Sequence, residues 1–302
     1  MNKNLLISKK EDEKRLDYFL SQKLSLSRSK CSNLIKSGKI LINNNIKIKK
    51  NYILKKNDLI NIKIQKEEKE NYNIQPINLN LKIIYEDQFL AIIDKPSGLI
   101  VHPSPNYSGI TLINGLIFHI ESLKKIKSDR PGIIHRLDKN TTGLIIIGKE
   151  EEIVSQMQEL IKKRKIKRIY WALIHGFLDK EGIINLPIKR DFKNRLRMAI
   201  SPEGKPSITY FKTLKKFKNT SLIELELETG RTHQIRVHLS YLKKPIIGDI
   251  LYGKKKDNIK TQLLHAKKIN FIHPVTKKYL NFEIPLPDLF QKKLDILKNN
   301  IK

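Results

Sequence analysis

The sequence predicts an α+β protein of two domains. A small α/β unit lies near the N-terminus, and a larger domain follows, built on a mainly antiparallel mixed sheet with flanking helices and loops. Three observations lead there. Strand-like apolar runs outnumber helical patterns after residue 80, a polar and charged stretch at 65–79 interrupts the periodic segments, and the residues before it carry helix and strand signals of their own. At 302 residues the chain has room for both domains.

Residues 13–64 make the first predicted domain. Arg15 to Leu20, with Leu24, spaces apolar residues as a helix does. A second helix lies within 27–38, with a Ser at its start, Leu34 and Ile35 as its apolar face and Gly38 as its stop. Residues 40–48 predict a hairpin turning at Asn43 to Asn45, because Asn tolerates left-handed backbone, and 60–64 alternates as a further strand. In the domain at 80–302, strands are expected at 81–85, 89–93, 144–147, 169–174, 208–214 and 222–227, and helices at 112–123, 153–161 and 232–242.

Charge narrows the partners. Sixty Lys and Arg against thirty Asp and Glu give a formal +30, a field that concentrates polyanions. Lys, Ile and Asn are abundant throughout, so part of the Lys excess reflects composition alone. Arg is more telling, because its planar fork matches phosphates and bases as Lys cannot. Nine of the 11 Arg lie between Arg130 and Arg236. A nucleic acid is the expected partner. Cys31 is the only cysteine, which excludes a disulfide framework and a cysteine metal site. The chain opens on charged sequence without an apolar signal segment, and no run approaches the roughly 20 apolar residues of a membrane span. A cytoplasmic protein without membrane attachment is expected.

Two motifs carry chemistry. GIIHRLDKNTTG (132–143) sets Asp138 in a turn-forming cluster beside Arg136 and ahead of an apolar strand. A carboxylate there serves as nucleophile, base or electrostatic stabiliser when ionised, or it caps the turn through an Asx hydrogen bond. The second motif, ETGRTHQIRVH (228–238), supplies Arg236 as a salt-bridge partner that would keep Asp138 ionised. His135 reads as an acid or base, or as a hydrogen-bonded loop residue. His233 and His238 fall five apart, which fits zinc poorly, and neither a phosphate-binding Gly loop nor a carboxylate cluster for two metals occurs. Arg190, Arg195 and Arg197 occupy a polar segment between strands, as a clamp on an RNA backbone or as a solvated hairpin.

These motifs resemble those of the RNA pseudouridine synthases of the RluA type. The first matches the family's HRLDxxTSG run, with Thr142 where Ser is usual, and the second matches its later Arg-containing motif. RIYWAL (168–173), DKPSGLIVHP (94–103) and LHA (264–266) with FIHP (271–274) match three more, in family order over 80–285. Residues 13–64 resemble the S4 RNA-binding domain, with Arg28, Lys30, Lys36 and Lys39 as its candidate RNA contacts. IKRD (188–191), Met198-Ala and GKPS (204–207) to Tyr210 place the likeness nearest the subgroup D enzymes of large-subunit ribosomal RNA.

The resemblance implies an isomerase that turns uridine into pseudouridine without cofactor or metal. Asp138 would act at the ribose, by direct attack or by removing a sugar proton. Tyr170 would stack on the base and take up the C5 proton with help, and Arg236 would pair with Asp138. Leu264 would line the base pocket, and Arg136 would fill the gap left by the flipped base or hold a phosphate. His135, Arg231 and the three hairpin arginines would contact RNA. The implied partner is large-subunit (23S) ribosomal RNA, free or in a subunit precursor, met by a monomer. Two alternatives stand beside this reading: an RNA-binding assembly factor without activity, and an enzyme of the same family acting on other ribosomal or transfer RNA sites.

Overall fold

The computed structural model describes residues 2–24, 26, 28–46, 48–63, 74–103, 107, 109–126, 128–254 and 257–299. The chain divides into two compact units, residues 1–72 and 73–302. Most of the stretch read as a linker, 65–73, lies outside the described residues.

The first unit contains β1 (Asn2–Leu6), α1 (Leu16–Lys23), α2 (Arg28–Lys36), β2 (Ile40–Ile42) and β3 (Leu59–Lys63). Its sheet has the order β1-β3-β2, antiparallel throughout. Leu16, Phe19 and Leu20 of α1 and Cys31, Leu34 and Ile35 of α2 meet Ile40, Ile42, Ile60 and Ile62 of the sheet in one core. Gly38 ends α2 with φ 70, as expected of its position. One boundary needs correcting. The unit begins before residue 13, since β1 pairs with β3 from Asn2↔Lys63 to Leu6↔Leu59. The turn expected at Asn43 to Asn45 forms, with Ile42 and Asn45 exchanging backbone hydrogen bonds (3.2 and 2.8 Å) in an antiparallel bridge, but the ladder stops there and β2 pairs with β3. Asn43 and Asn44 are left-handed, as predicted, but Asn43 donates to Asp58 (2.8 Å) and accepts from the Leu59 N–H (2.9 Å). Those bonds also tie the turn to the start of β3.

The second unit is organised by one sheet. It comprises β4 (Lys82–Glu86), β5 (Leu90–Lys95), α3 (Leu112–His119), a 3-10 turn (Glu121–Lys125), β6 (Thr142–Gly148), α4 (Glu151–Lys162), β7 (Lys167–His175), β8 (Glu181–Asn185), β9 (Ile188–Arg190), β10 (Met198–Ile200), β11 (Ile208–Lys216), β12 (Thr220–Leu227), α5 (Gln234–Tyr241), β13 (Leu264–Ile272), β14 (Tyr279–Glu283) and α6 (Asp288–Asn299). The strand order is β4-β5-β6-β13-β7-β12-β11-β8, with β14 on β13, and β9 and β10 form a separate hairpin. The predicted helix at 112–123 is interrupted, because Ile120 is extended (φ −118, ψ 95) where it enters the core.

Both faces of the sheet's middle are covered, so strands such as β5 and β6 alternate between two cores rather than between core and water, while β8, β11 and β14 at its margins meet solvent. Ile145 and Ile147 of β6 pack with α3 and with Ile235 and Leu239 of α5 on one face. Leu144 and Ile146 pack with Ile153 and Met157 of α4 on the other. All strand pairs in this sheet are antiparallel except β6 with β13, which run parallel for two residue pairs only, Thr142↔His265 and Gly143↔Ala266. Gly143 makes that approach possible: it has φ +108, and a Cβ there would stand 2.4 Å from the Ala266 carbonyl oxygen.

Candidate active site

Asp138 sits in the loop entering β6 and is only partly exposed. Several ties fix the loop. The Gly148 N–H donates to the Gly132 carbonyl (2.9 Å), and the Gln262 side-chain amide donates to Thr141 Oγ1 (3.0 Å). Lys95, at the end of β5, is fully buried. Its ammonium donates to the carbonyls of Pro96 (2.8 Å), Leu99 (2.8 Å) and Lys139 (3.0 Å), joining the 94–103 motif to the residue after Asp138. Burial pushes Lys95 down to about 7, against the pull of the Asp138 charge. The turn itself closes by the Thr141 N–H donating to the Asp138 carbonyl (3.1 Å). Backbone therefore caps the turn, and the carboxylate is available for other work.

That carboxylate meets Arg236 on α5. Arg236 Nη1 donates to Asp138 Oδ2 (2.9 Å), while Nε and Nη2 donate to the two oxygens of Asp249 (2.7 and 2.9 Å). Asp249 is buried and also accepts the N–H groups of Leu251 (2.9 Å) and Tyr252 (3.0 Å). Burial opposes the charge on Arg236, but the hydrogen bonds and charges of Asp249 and Asp138 outweigh it and raise the guanidinium. Burial likewise pushes Asp249 up, and Arg236 more than reverses this. The guanidinium is thus anchored on its buried side and presents one arm to Asp138.

Helix α5 is placed by residues of its own motif. His233 caps it in left-handed geometry (φ 56). Gln234, buried, donates to the Ile208 carbonyl (3.0 Å) and Thr209 Oγ1 (3.0 Å) and accepts from Thr229 Oγ1 (2.9 Å). His233 Nδ1 lies 2.9 Å from the Tyr252 hydroxyl, which accepts the Met198 N–H (2.7 Å), and His233 Nε2 stands 3.9 Å from Asp138 Oδ1. The two carboxylate oxygens therefore differ. Oδ2 is taken by Arg236 and Oδ1 is not, and Asp138 lines a small pocket of about 50 Å³ together with Leu264, Tyr170 and Leu227 among others.

The pocket joins a larger cleft of about 690 Å³, with Arg136, Asp138, Tyr170, Leu227 and Arg231 lining both. Tyr170 and Leu264 are buried. Burial pushes the Tyr170 phenol up, with Asp138 adding to the shift and Arg168 opposing it. These surroundings do not supply the lowered pKa that a proton-accepting Tyr170 needs. Arg136 is exposed and donates to His102 Nε2 (3.4 Å), and Arg231 donates to the Pro206 carbonyl (3.1 Å). His135 accepts the Ile146 N–H at Nε2 (3.0 Å), and burial pushes it down to about 3, so it is neutral and not a working base.

The other predicted contacts lie elsewhere. The β9–β10 hairpin carries the three arginines. Arg190 donates to the Arg195 carbonyl (2.5 Å), Arg195 is exposed, and Arg197 covers the Tyr252 ring at 5.0 Å. Only Arg197 reaches the surroundings of Asp138. In the first unit Lys36 is exposed and Lys39 is half-buried, and the side chain of Lys30 lies outside the described residues. Arg28 is held, with Arg15, on buried Asp17 (3.1 and 3.0 Å). Its role there is partly structural. Sequence reasoning missed Asp249, Tyr252 and the tie through Lys95. The only signal for Asp249 was its place in a glycine-bounded segment, GDILYG (248–253).

A two-faced sheet with an Arg-clamped carboxylate at the mouth of a basic cleft defines the class of RNA pseudouridine synthases. The chain belongs to that family: residues 89–241 match RNA pseudouridylate synthase, and residues 14–60 match the S4 domain. It is an isomerase acting on RNA. Among its relatives is the RNA pseudouridine synthase YlyB of Bacillus subtilis, described as uncharacterized, 36% identical over 98% of each chain. The ribosomal large subunit pseudouridine synthase D of Vibrio cholerae is 34% identical, over 91% of this chain and 88% of that one. The solved structure of human RNA pseudouridylate synthase domain containing 4 superposes with a TM-score of 0.58 at 26% identity, over 72% of this chain and 93% of that one.

Proposed function

We propose that this protein isomerises uridine to pseudouridine in large-subunit (23S) ribosomal RNA, with Asp138 acting on the ribose of a uridine turned out of its stack. The division of labour between the two Asp138 oxygens carries the reading. Arg236 holds Oδ2 at 2.9 Å, while Oδ1 has no closer charged partner than His233 Nε2 at 3.9 Å, and the residue lines the pocket. Relatives named for the ribosomal large subunit, such as that of Vibrio cholerae, support the choice of RNA.

In this mechanism Oδ1 attacks C1′ or removes a sugar proton, and the N1–C1′ bond breaks. The uracil turns between Tyr170 and Leu264, which offer a ring face and an apolar floor. A C5–C1′ bond forms as the Oδ1–C1′ bond breaks, or as Asp138 returns the sugar proton; C5 then loses its proton and N1 gains one. Tyr170, kept protonated by its burial, serves as a platform and not as the base. Arg136, exposed at the rim, occupies the space the uridine leaves.

The test is to map pseudouridines in ribosomal RNA from cells lacking this protein and to restore either the wild type or Asp138→Asn. Large-subunit sites should vanish and return only with the wild type, while purified D138N keeps its RNA affinity. Restoration by D138N would remove Asp138 from the chemistry. Loss confined to other RNAs would overturn the choice of substrate.

A further inference from the structure

Arg168, on β7 two residues before Tyr170, is a charged group without a counter-ion. It is 4% exposed, and no carboxylate among the described residues lies within ion-pair distance of it. Its Nη2 donates to the Leu227 carbonyl at a long 3.3 Å, Nη1 lies against Gly230, and its Nε–H has no partner. Leaving a guanidinium buried and unpaired is costly, and such groups persist where something else supplies the charge.

A second orphan stands in the same cleft. His135 uses Nε2 to accept the Ile146 N–H, so its proton sits on Nδ1, and Nδ1 is buried with no partner. Arg168 and His135 both line the 690 Å³ cleft that opens into the Asp138 pocket. They are close enough for the Arg168 charge to add to the burial that disfavours a charged His135. Around them the cleft is cationic, with Arg130, Arg136, Lys162, Arg164 and Arg231. Of its carboxylates, Glu228 is engaged by Arg164 (2.7 Å) and the Tyr210 hydroxyl, and Asp138 by Arg236.

We propose that Arg168, beside His135 in the floor of this cleft, forms a phosphate-binding site that takes one backbone phosphate beside the flipped uridine. The site rests on the proposed function for its ligand but not for its geometry. A phosphate in the cleft supplies the counter-charge that the buried Arg168 guanidinium lacks. Holding the backbone beside the target fixes the ribose before Asp138, so Arg168 acts as a binding and positioning residue.

The experiment is a phosphate scan. A synthetic stem-loop carrying a uridine mapped in cells is made with single neutral methylphosphonates at each position around the target, and binding is measured to wild type and to Arg168→Gln. The site requires one position next to the uridine whose neutralisation weakens the wild type about tenfold or more and leaves R168Q unaffected. Losses that simply add to that of R168Q at every position would overturn it. Gly230→Ala provides a second variant should R168Q fail to fold. A Cβ there would come 2.9 Å from Arg168 Nη1, displacing the guanidinium while keeping the charge, and the same loss of sensitivity is expected. The salt slope of binding to total large-subunit RNA should also fall by roughly 0.7–0.9 in R168Q, as for one lost phosphate contact, and an unchanged slope would count against the site. Failure of the wild type to convert the uridine would sink the functional reading, while the binding cycle would still report on the phosphate site.

Discussion

Asp249→Asn tests whether Arg236 must be held from behind in order to serve Asp138. The exchange keeps the shape, and an oxygen can still accept the N–H groups of Leu251 and Tyr252, now at 2.9 and 3.0 Å. It removes the charge and sets an amide N–H against one of the Arg236 donors now bonded at 2.7 and 2.9 Å. Losing one partner of a buried ion pair costs about 3–5 kcal/mol, and the retained backbone contacts favour the lower end. In a unit of this size each kcal/mol moves Tm by roughly 2–4 °C, so a fall of about 6–12 °C is expected. The freed guanidinium then swings toward Asp138 alone and draws the carboxylate out of register. A misplacement of that order costs roughly a hundredfold in kcat. Calorimetry and single-turnover pseudouridine formation on ribosomal RNA measure the two effects. A variant that melts lower but turns over normally would show that Asp249 supports the fold and not the geometry of Asp138.

Three further outcomes follow from the same geometry. Gly143→Ala should destabilise the second unit by about 3 kcal/mol or more in urea unfolding, because a Cβ would stand 2.4 Å from the Ala266 oxygen on a backbone with φ +108. Acid should destabilise the same unit well above the carboxylate range. Burial lowers His265 from 6.5 to about 4 and His135 from 6.5 to about 3, so below pH 6.5 the unfolded chain binds protons that the folded one refuses. Stability is then complete above about pH 6.5 and falls toward pH 4, with His265 alone contributing roughly 3 kcal/mol. His265→Gln should flatten that part of the pH profile. Tyr170→Phe keeps the ring and removes the hydroxyl; RNA binding should persist, and retention of most of the turnover would agree with a platform role, whereas complete loss would return the phenol to the proton transfer.

The central pair was legible because its two members lie in distinctive motifs, and opposite charges in two such motifs have a simple reason to meet. What lay behind the pair was not legible. Asp249 lies 13 residues from Arg236, and nothing in its neighbourhood signals a partner until the loop folds back. Strand β13 escaped notice for a different reason. Its apolar residues fall at 264 and 266, then at 269 and 271, because a bulge between Ala266 and Lys268 shifts the register and breaks the period of two. Helix α6 buries only Phe290 and Leu294 in a Lys-rich tail, too sparse a stripe to stand out. The hairpin expected at 40–48 is cut to a single Ile42–Asn45 bridge, because β2 spends its ladder on β3, to which the Asn43 side chain also bonds.

The two-rung contact between β6 and β13 has a kinetic meaning as well. Thr142 and His265 are 123 residues apart, and the pair is reinforced by a 2.8 Å hydrogen bond between their side chains. Strands β4, β5 and β6 form one half of the sheet and β7, β11 and β12 belong to the other, but neither half holds a complete site. Asp138 and Tyr170 come to face one another only when β13 closes the seam. Closures of that length are slow steps in folding. Enzymatic activity should therefore be among the last properties to appear during refolding, behind the bulk of the secondary structure.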